Sequence, residues 1–231
     1  MKRQSGFTLL EIAIVTIIVG LLLGGIMRGQ EMVVQARTKS LVADFTGVSA
    51  AVQAYRDRYR YIPGDDAGAA GRWGFYQAKS GNGDGLIGGG YSDPAPPGDP
   101  AVSLTIDPVT GAGESLNFWW HLRIAGFVSG PQQGPGAANQ PDNAVGGILG
   151  VQTAQGPANF LGGLVACTSN VLDKNATGVD AQLDDLNPSQ GEIRALLQNG
   201  TSNPSLTNPS NTQPSNYVEG SNNRYLVCRS L

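Results

Sequence analysis

The chain has 231 residues, of which 40% are hydrophobic and 14% are charged, so it can bury the core of one or two domains. Its formal net charge of -3 and pI near 5.1 exclude a protein that works mainly by gripping nucleic-acid phosphates, because that task needs a basic face. Its 33 glycines and 14 prolines are concentrated beyond residue 60, where they predict many turns and loops.

The first predicted element is an apolar helix long enough to cross a membrane. Between Phe7 and Met27 the only ionisable residue is Glu11, and at about 1.5 Å per residue the run spans the roughly 30 Å hydrocarbon core of a bilayer. Lys2 and Arg3 precede it, and the positive-inside rule keeps them in the cytoplasm, so the rest of the chain lies outside. A secretory signal peptide is the alternative, but no A-x-A-like cleavage site follows the run.

Glu11 requires a compensating partner in this setting. A charged side chain in the hydrocarbon costs roughly 2.5 to 3.5 kcal/mol even on a lenient insertion scale. A proton relay would need further intramembrane polar groups, and only Thr8 and Thr16 are present.

The helix continues beyond the span as an amphipathic segment. Apolar and aromatic residues recur there with steps of four and three residues, at Leu41, Phe45, Val48, Val52, Tyr55 and Tyr59. The pattern stops at Ile62-Pro63-Gly64, where Pro and Gly break it. The simplest interpretation is one helix from Phe7 to about Tyr61. Gly20 and Gly24 form a GxxxG pattern, which either weakens the span or allows close helix contacts.

The stretch Gly6-Phe7-Thr8-Leu9-Leu10-Glu11 resembles the processing site of type IV prepilins and of the related pseudopilins of type II secretion. In that family a membrane peptidase cuts after the Gly and methylates the new N-terminal amine, and a Glu stands five residues into the mature chain. The resemblance therefore implies a cleaved leader over residues 1–6, a filament-core helix over 7–30 and its amphipathic continuation over 31–62. The extracytoplasmic head would occupy residues 63–231.

What this resemblance implies is a structural protein with the pilin fold. That fold is α+β, with the long helix packed on a small antiparallel sheet with long loops. The chain would be a type IV pilus subunit, cleaved after Gly6, N-methylated on Phe7 and paired through Glu11 with the amine of a neighbouring subunit. Its implied partners are further copies and other pilins, the prepilin peptidase, the assembly platform of the inner membrane, and that membrane before assembly at the cell surface. A minor pilin, a periplasmic pseudopilin and a membrane-tethered binding module that never polymerises stay open as alternatives.

The stretch Ser80-Gly-Asn82-Gly-Asp84-Gly85 is typical of the first half of an EF-hand loop. Calcium at Asn82 and Asp84 is one interpretation, and major pseudopilins of the family also bind calcium in a loop. The first position is Ser where Asp is usual, and the twelfth is Tyr91 where Glu is usual, so Asp93, Asp65 or Asp66 would have to supply a carboxylate through the fold. A glycine-rich turn without metal is the alternative.

The remaining elements of the head are predicted to be short. Residues 116–125 indicate an apolar helix, and Trp119, Trp120 and Phe127 are expected in the core or beside the long helix. Strands are predicted at 146–152, 159–166 and 225–228. His121 is the only histidine, and no nucleophile motif accompanies it, so packing or hydrogen bonding is favoured over catalysis and the protein is not expected to be an enzyme.

The two cysteines, Cys167 and Cys228, lie on the side of the membrane where disulfides form. A disulfide between them is favoured, and two buried free thiols are the alternative. Many pilins have a disulfide-bounded region near the C-terminus, so the resemblance implies the same pairing.

Overall fold

The computed structural model describes residues 9–153, 161–198, 216–218 and 220–231. Within them, one long helix packs on a four-stranded antiparallel sheet, which confirms the predicted α+β fold. The helices are α1 (Leu9–Tyr59), α2 (Ala69–Arg72), α3 (Pro100–Ser103), α4 (Glu114–Ile124) and α5 (Asp173–Leu183). The strands are β1 (Leu149–Thr153), β2 (Leu164–Leu172), β3 (Ile193–Gln198) and β4 (Arg224–Ser230).

Among the described residues, it is the second half of α1 that packs on the head. Its buried side chains begin at Thr38 and follow the predicted helical spacing through Leu41, Phe45, Val48, Val52 and Tyr55, while Tyr59 is partly buried. The helix ends at Tyr59, slightly before the predicted Tyr61, because Arg60 takes a φ of 65° in the left-handed region.

The sheet has the strand order β1-β2-β4-β3, so β2 and β4 form its centre. The predicted strands at 146–152 and 225–228 overlap β1 and β4, whereas the strand predicted at 159–166 begins outside the described residues and its end falls in β2. Strand β3 and helix α5 were not predicted. Helix α5 lies on the long helix, and together with the sheet it covers the buried face of α1.

Helix α4 is the centre of the head core, because all of its 11 residues are buried. It confirms the helix predicted at 116–125. Trp119 packs in the main core cluster with α1 and the sheet, while Trp120 belongs to a separate cluster formed with the loops. Phe127 is partly buried, with its ring centroid 6.3 Å from that of Tyr55, so all three aromatic residues pack as predicted.

Candidate functional site

The first half of α1 exposes its apolar side chains. Leu9 is 91% exposed, and the most apolar stretch of the helix has no buried residue. Among the described residues, α1 is the one helix long and apolar enough to cross a membrane. An exposed apolar surface of this length must be covered by lipid or by other protein chains, since water solvates it poorly.

Glu11 lies on this exposed half, in the first turn of the described part of α1. The predicted processing residues Gly6 and Phe7 lie outside the described residues, so the pairing predicted for Glu11 stays a prediction. Thr16 is satisfied within its own helix, because its hydroxyl donates to the carbonyls of Ile12 at 3.0 Å and Ala13 at 2.9 Å.

The glycines of this half are open on the surface of the single chain. A Cβ added at Gly20, Gly24 or Gly25 would meet nothing within 4 Å. The close helix contacts predicted from the GxxxG pattern therefore require a second chain.

The head holds α1 at two places. Near the middle of α1, the side-chain amide nitrogen of Asn175 in α5 donates to the carbonyl of Val34 at 2.9 Å and to the hydroxyl of Thr38 at 3.0 Å. Gly178 allows the close approach of these helices, because a Cβ there would lie 3.0 Å from the Thr38 side chain. Near the C-terminal end of α1, at what we call the Tyr55 junction, the hydroxyl of Tyr55 donates to the carboxylate of Asp66 at 2.6 Å, and the same carboxylate pairs with Arg72.

His121 is a structural residue beside the Tyr55 junction, with its ring centroid 6.3 Å from that of Tyr55. Its Nδ1 accepts from the backbone amide of Gly64 at 3.0 Å, and its Nε2 lies 2.8 Å from the carbonyl of Lys79. These partners fix the neutral ring with its proton on Nε2. Burial lowers the pKa of His121 to about 4, because the charged form loses its hydration.

This pKa predicts that the contribution of His121 to the stability of the head is lost in acid. Because the unfolded histidine takes up its proton near pH 6.5 and the folded one only near pH 4, the contribution of His121 to the free energy of unfolding is complete above pH 6.5. It falls by up to about 3 kcal/mol as the pH drops to 4. Urea unfolding of wild type and His121→Gln across this range measures it, since the glutamine keeps one donor and one acceptor. A stability difference between the two proteins that does not change with pH would contradict the prediction.

Two buried carboxylates lie beneath the loop that carries the calcium-like spacing. Asp65 Oδ1 accepts from the amides of Gly83 at 2.6 Å and Asp84 at 3.1 Å, and its Oδ2 accepts from Gly85 at 2.8 Å. Glu114, at the start of α4, accepts from the amides of Asn82 at 2.8 Å and Gly88 at 3.0 Å. The loop is therefore wrapped around carboxylates supplied by distant parts of the chain.

Asp84 completes the cluster from within the loop. One carboxylate oxygen from each of Asp65, Asp84 and Glu114 lies within 4.8 Å of the others. Asp84 is exposed, whereas Asp65 and Glu114 are buried. The fold thus brings in Asp65 of the carboxylates considered from the sequence, and it adds Glu114, which sequence reasoning missed. Asp66 belongs to the Tyr55 junction, and Asp93 instead accepts from the amide of Gly90 at 2.6 Å.

The charge of this cluster is uncompensated in the described part of the chain, where neither Asp65 nor Glu114 has a cationic partner. Burial raises the pKa of Glu114 to about 7, against the two amide donors that lower it, and the charges of Asp65 and Asp84 raise it further. Burial likewise raises the pKa of Asp65. Calcium prefers oxygen ligands, carboxylates among them, so the three carboxylates fit this ion. The side-chain oxygen of Asn82 accepts from the amide of Asp84 at 3.0 Å.

The predicted disulfide is present between Cys167 and Cys228. The two residues lie directly opposite each other in the central strands β2 and β4. Both are buried in a cluster with Val165, Leu196 and Leu226, separate from the main cluster that includes α1.

Comparison with known protein families identifies the N-terminal segment of the chain. Residues 1–27 match the model of the prokaryotic N-terminal methylation motif. No curated protein and no solved structure matches the chain. The matched stretch includes the exposed apolar turns around Glu11, and it ends where the span predicted from the sequence ends.

Proposed function

We propose that this chain, which carries the N-terminal signature of type IV pilins and pseudopilins, is a structural subunit of a type IV pilus. The observation that carries the proposal is the methylation motif over residues 1–27, placed directly on an exposed apolar helix. Cleavage after Gly6 and methylation of Phe7 would leave a cationic amine beside the span, since methylation keeps the charge. The helix would hold the chain in the inner membrane before assembly and form the filament core afterwards.

Assembly in this proposal is driven by two features of α1. The exposed apolar side chains leave lipid for contacts with the same surface of other subunits, and Gly20 and Gly24 allow those helices to approach closely. Glu11 sets the register by pairing with the Phe7 amine of a neighbour. Partners are thus further copies, other pilins, the prepilin peptidase and the assembly platform, and the subunit's role is structural rather than catalytic.

N-terminal mass spectrometry of the native protein tests this function. It is performed separately on filaments sheared from the cell surface and on the membrane pellet. Methyl-Phe7 in the sheared fraction is expected for a pilus subunit. Methyl-Phe7 confined to the pellet would instead identify the protein as a pseudopilin or a scarce minor subunit. An intact leader in both fractions would identify it as a membrane-tethered module.

We further propose that the head binds calcium through Asp65, Asn82, Asp84 and Glu114. The observation that favours it is the buried Asp65 and Glu114 pair next to an EF-hand-like spacing, in which they supply the carboxylates that the loop itself lacks at its first and last positions. When bound, calcium would neutralise these charges and stabilise the loop. The ion therefore has a structural role in this proposal.

Calcium is expected to raise the melting temperature of the protein, and to do so more at pH 8 than at pH 6. The pH dependence arises because the ion needs ionised carboxylates, and the pKa of Glu114 is about 7 in its absence. Thermal unfolding with calcium or with chelator, on wild type and Asp84→Asn, measures the effect. The matched control is Asp57→Asn, which removes an exposed carboxylate from α1. A calcium response that is absent at pH 8, or equal in Asp84→Asn and wild type, would contradict the site.

A further inference from the structure

A groove of about 860 Å³ lies where the exposed half of α1 meets the head. One part of its lining is apolar and comes from α1, at Ile26, Met27, Val33 and Val34. The charged part consists of Glu31, Arg37 and Lys174, the last from the start of α5. The groove therefore combines an apolar wall with cationic side chains.

The position of the groove along α1 matches the surface of a bilayer. If the span ends at Met27, Val34 lies about 10 Å further along the helix axis, at about 1.5 Å per residue. The headgroup region of one leaflet is roughly 5 to 8 Å thick. Ile26 and Met27 would then lie at the edge of the hydrocarbon, and the groove would extend from there through the headgroup layer to the point where Asn175 of the head first holds the helix, at Val34 and Thr38.

The charges around the groove favour an anion. Arg37 and Lys174 are exposed, and Glu31 is the carboxylate that lines the groove with them. Asp173 is buried, and its carboxylate accepts from the amide of Lys174 at 2.7 Å instead of lining the groove.

We propose that this groove binds an anionic phospholipid of the extracytoplasmic leaflet before assembly. An acyl chain would lie along Ile26 and Met27, and the phosphate would be held by the Lys174 and Arg37 side chains, which can extend along the apolar surface to reach it. This inference rests on the proposed membrane insertion of α1. Release of the lipid would then accompany transfer of the subunit from the membrane to the filament.

The test uses the full chain, extracted from the membrane in mild detergent and supplied with phosphatidylglycerol or phosphatidylcholine. Native mass spectrometry counts the lipid molecules retained on the protein. Wild type is expected to retain phosphatidylglycerol in preference to phosphatidylcholine, and Lys174→Glu to lose about fivefold or more of that preference. Lys39→Glu, which makes the same charge change at an exposed residue outside the groove, is the matched control.

Three results would overturn the proposal: equal retention of both lipids, equal loss in the Lys174 and Lys39 variants, or retention of a second copy of the chain in place of lipid. Carbonate extraction of the same membranes, together with the mass of the N-terminus, separates this failure from failure of the proposed function. A cleaved, membrane-embedded chain without lipid preference would overturn the groove proposal alone. A chain that carbonate releases from the membrane would overturn the insertion on which both depend.

Discussion

Replacement of Glu11 by Ala is expected to leave cleavage after Gly6 intact and to reduce the yield of assembled filaments by about tenfold or more. Two unit charges about 4 Å apart attract by about 4 kcal/mol at an effective dielectric constant of 20, comparable with the cost of placing the carboxylate in an apolar helix bundle. Removing one partner leaves the other charge buried and uncompensated, which commonly costs about 3 to 5 kcal/mol. That loss recurs at every subunit added to the filament.

The experiment measures the yield of sheared filaments by immunoblot and the cleavage after Gly6 by N-terminal mass spectrometry, in the wild type and in each variant. Glu11→Gln keeps the size of the side chain and tests the charge alone, and Glu11→Lys should be worse because it adds a second cation. The control is Asp57→Ala, which removes an exposed carboxylate on the same helix beyond the predicted span and outside the groove. Filaments of Glu11→Ala at wild-type yield would rule out the ion-pair account of assembly.

Replacement of Cys167 and Cys228 by Ser is expected to lower the free energy of unfolding by about 4 kcal/mol in the chain-entropy account. The bridge closes a loop between residues 61 apart in the sequence, and its loss gives that loop its freedom in the unfolded chain. For a protein of this size the melting temperature should fall by about 10 °C. Thermal unfolding of the double variant, with the wild type before and after reduction, measures the effect.

The same variants also test whether cleavage of the leader depends on the stability of the head. Because the disulfide joins two central strands far along the chain from the leader, cleavage after Gly6 should proceed as in wild type. An unchanged melting temperature in the Ser variants would show that the bridge contributes nothing to the folded head.

Local periodicity explains which elements could be predicted. The buried face of α1 repeats with the helical period, so Leu41, Phe45 and Tyr55 could be assigned from their spacing alone. Strand β3 has no such signal, because its sequence IRALLQ contains good helix formers and becomes a strand only through pairing with β4. Helix α5 was missed for the opposite reason. It contains Gly178, Asn175 and Thr177, which are poor helix formers, and it packs closely against α1.

The acidic cluster was predictable only in part. Asn82 and Asp84 stand in a recognisable local pattern, but Asp65 lies 18 residues before Gly83, and Glu114 lies 32 residues after Asn82. The distance of Glu114 from the loop depends on how α4 packs in the core, and the spacing of residues along the sequence does not predict that packing. The one available signal was Glu114 itself, at the start of a helix predicted to be apolar, since a buried carboxylate needs strong donors or a cation.

The two junctions between α1 and the head have a mechanical consequence. Between Thr38 and Tyr55 the helix is held at both ends by side-chain hydrogen bonds and along its length by buried contacts, so a pull along its axis loads all of them in shear at once. The described residues before Val34 have no such hydrogen bonds to the described part of the head, and they include Gly20, Gly24, Gly25 and Gly29. Under tension, the length of a fibre built from this subunit should therefore increase by stretching of the glycine-containing half, while the heads and the helical segments they grip keep their shape.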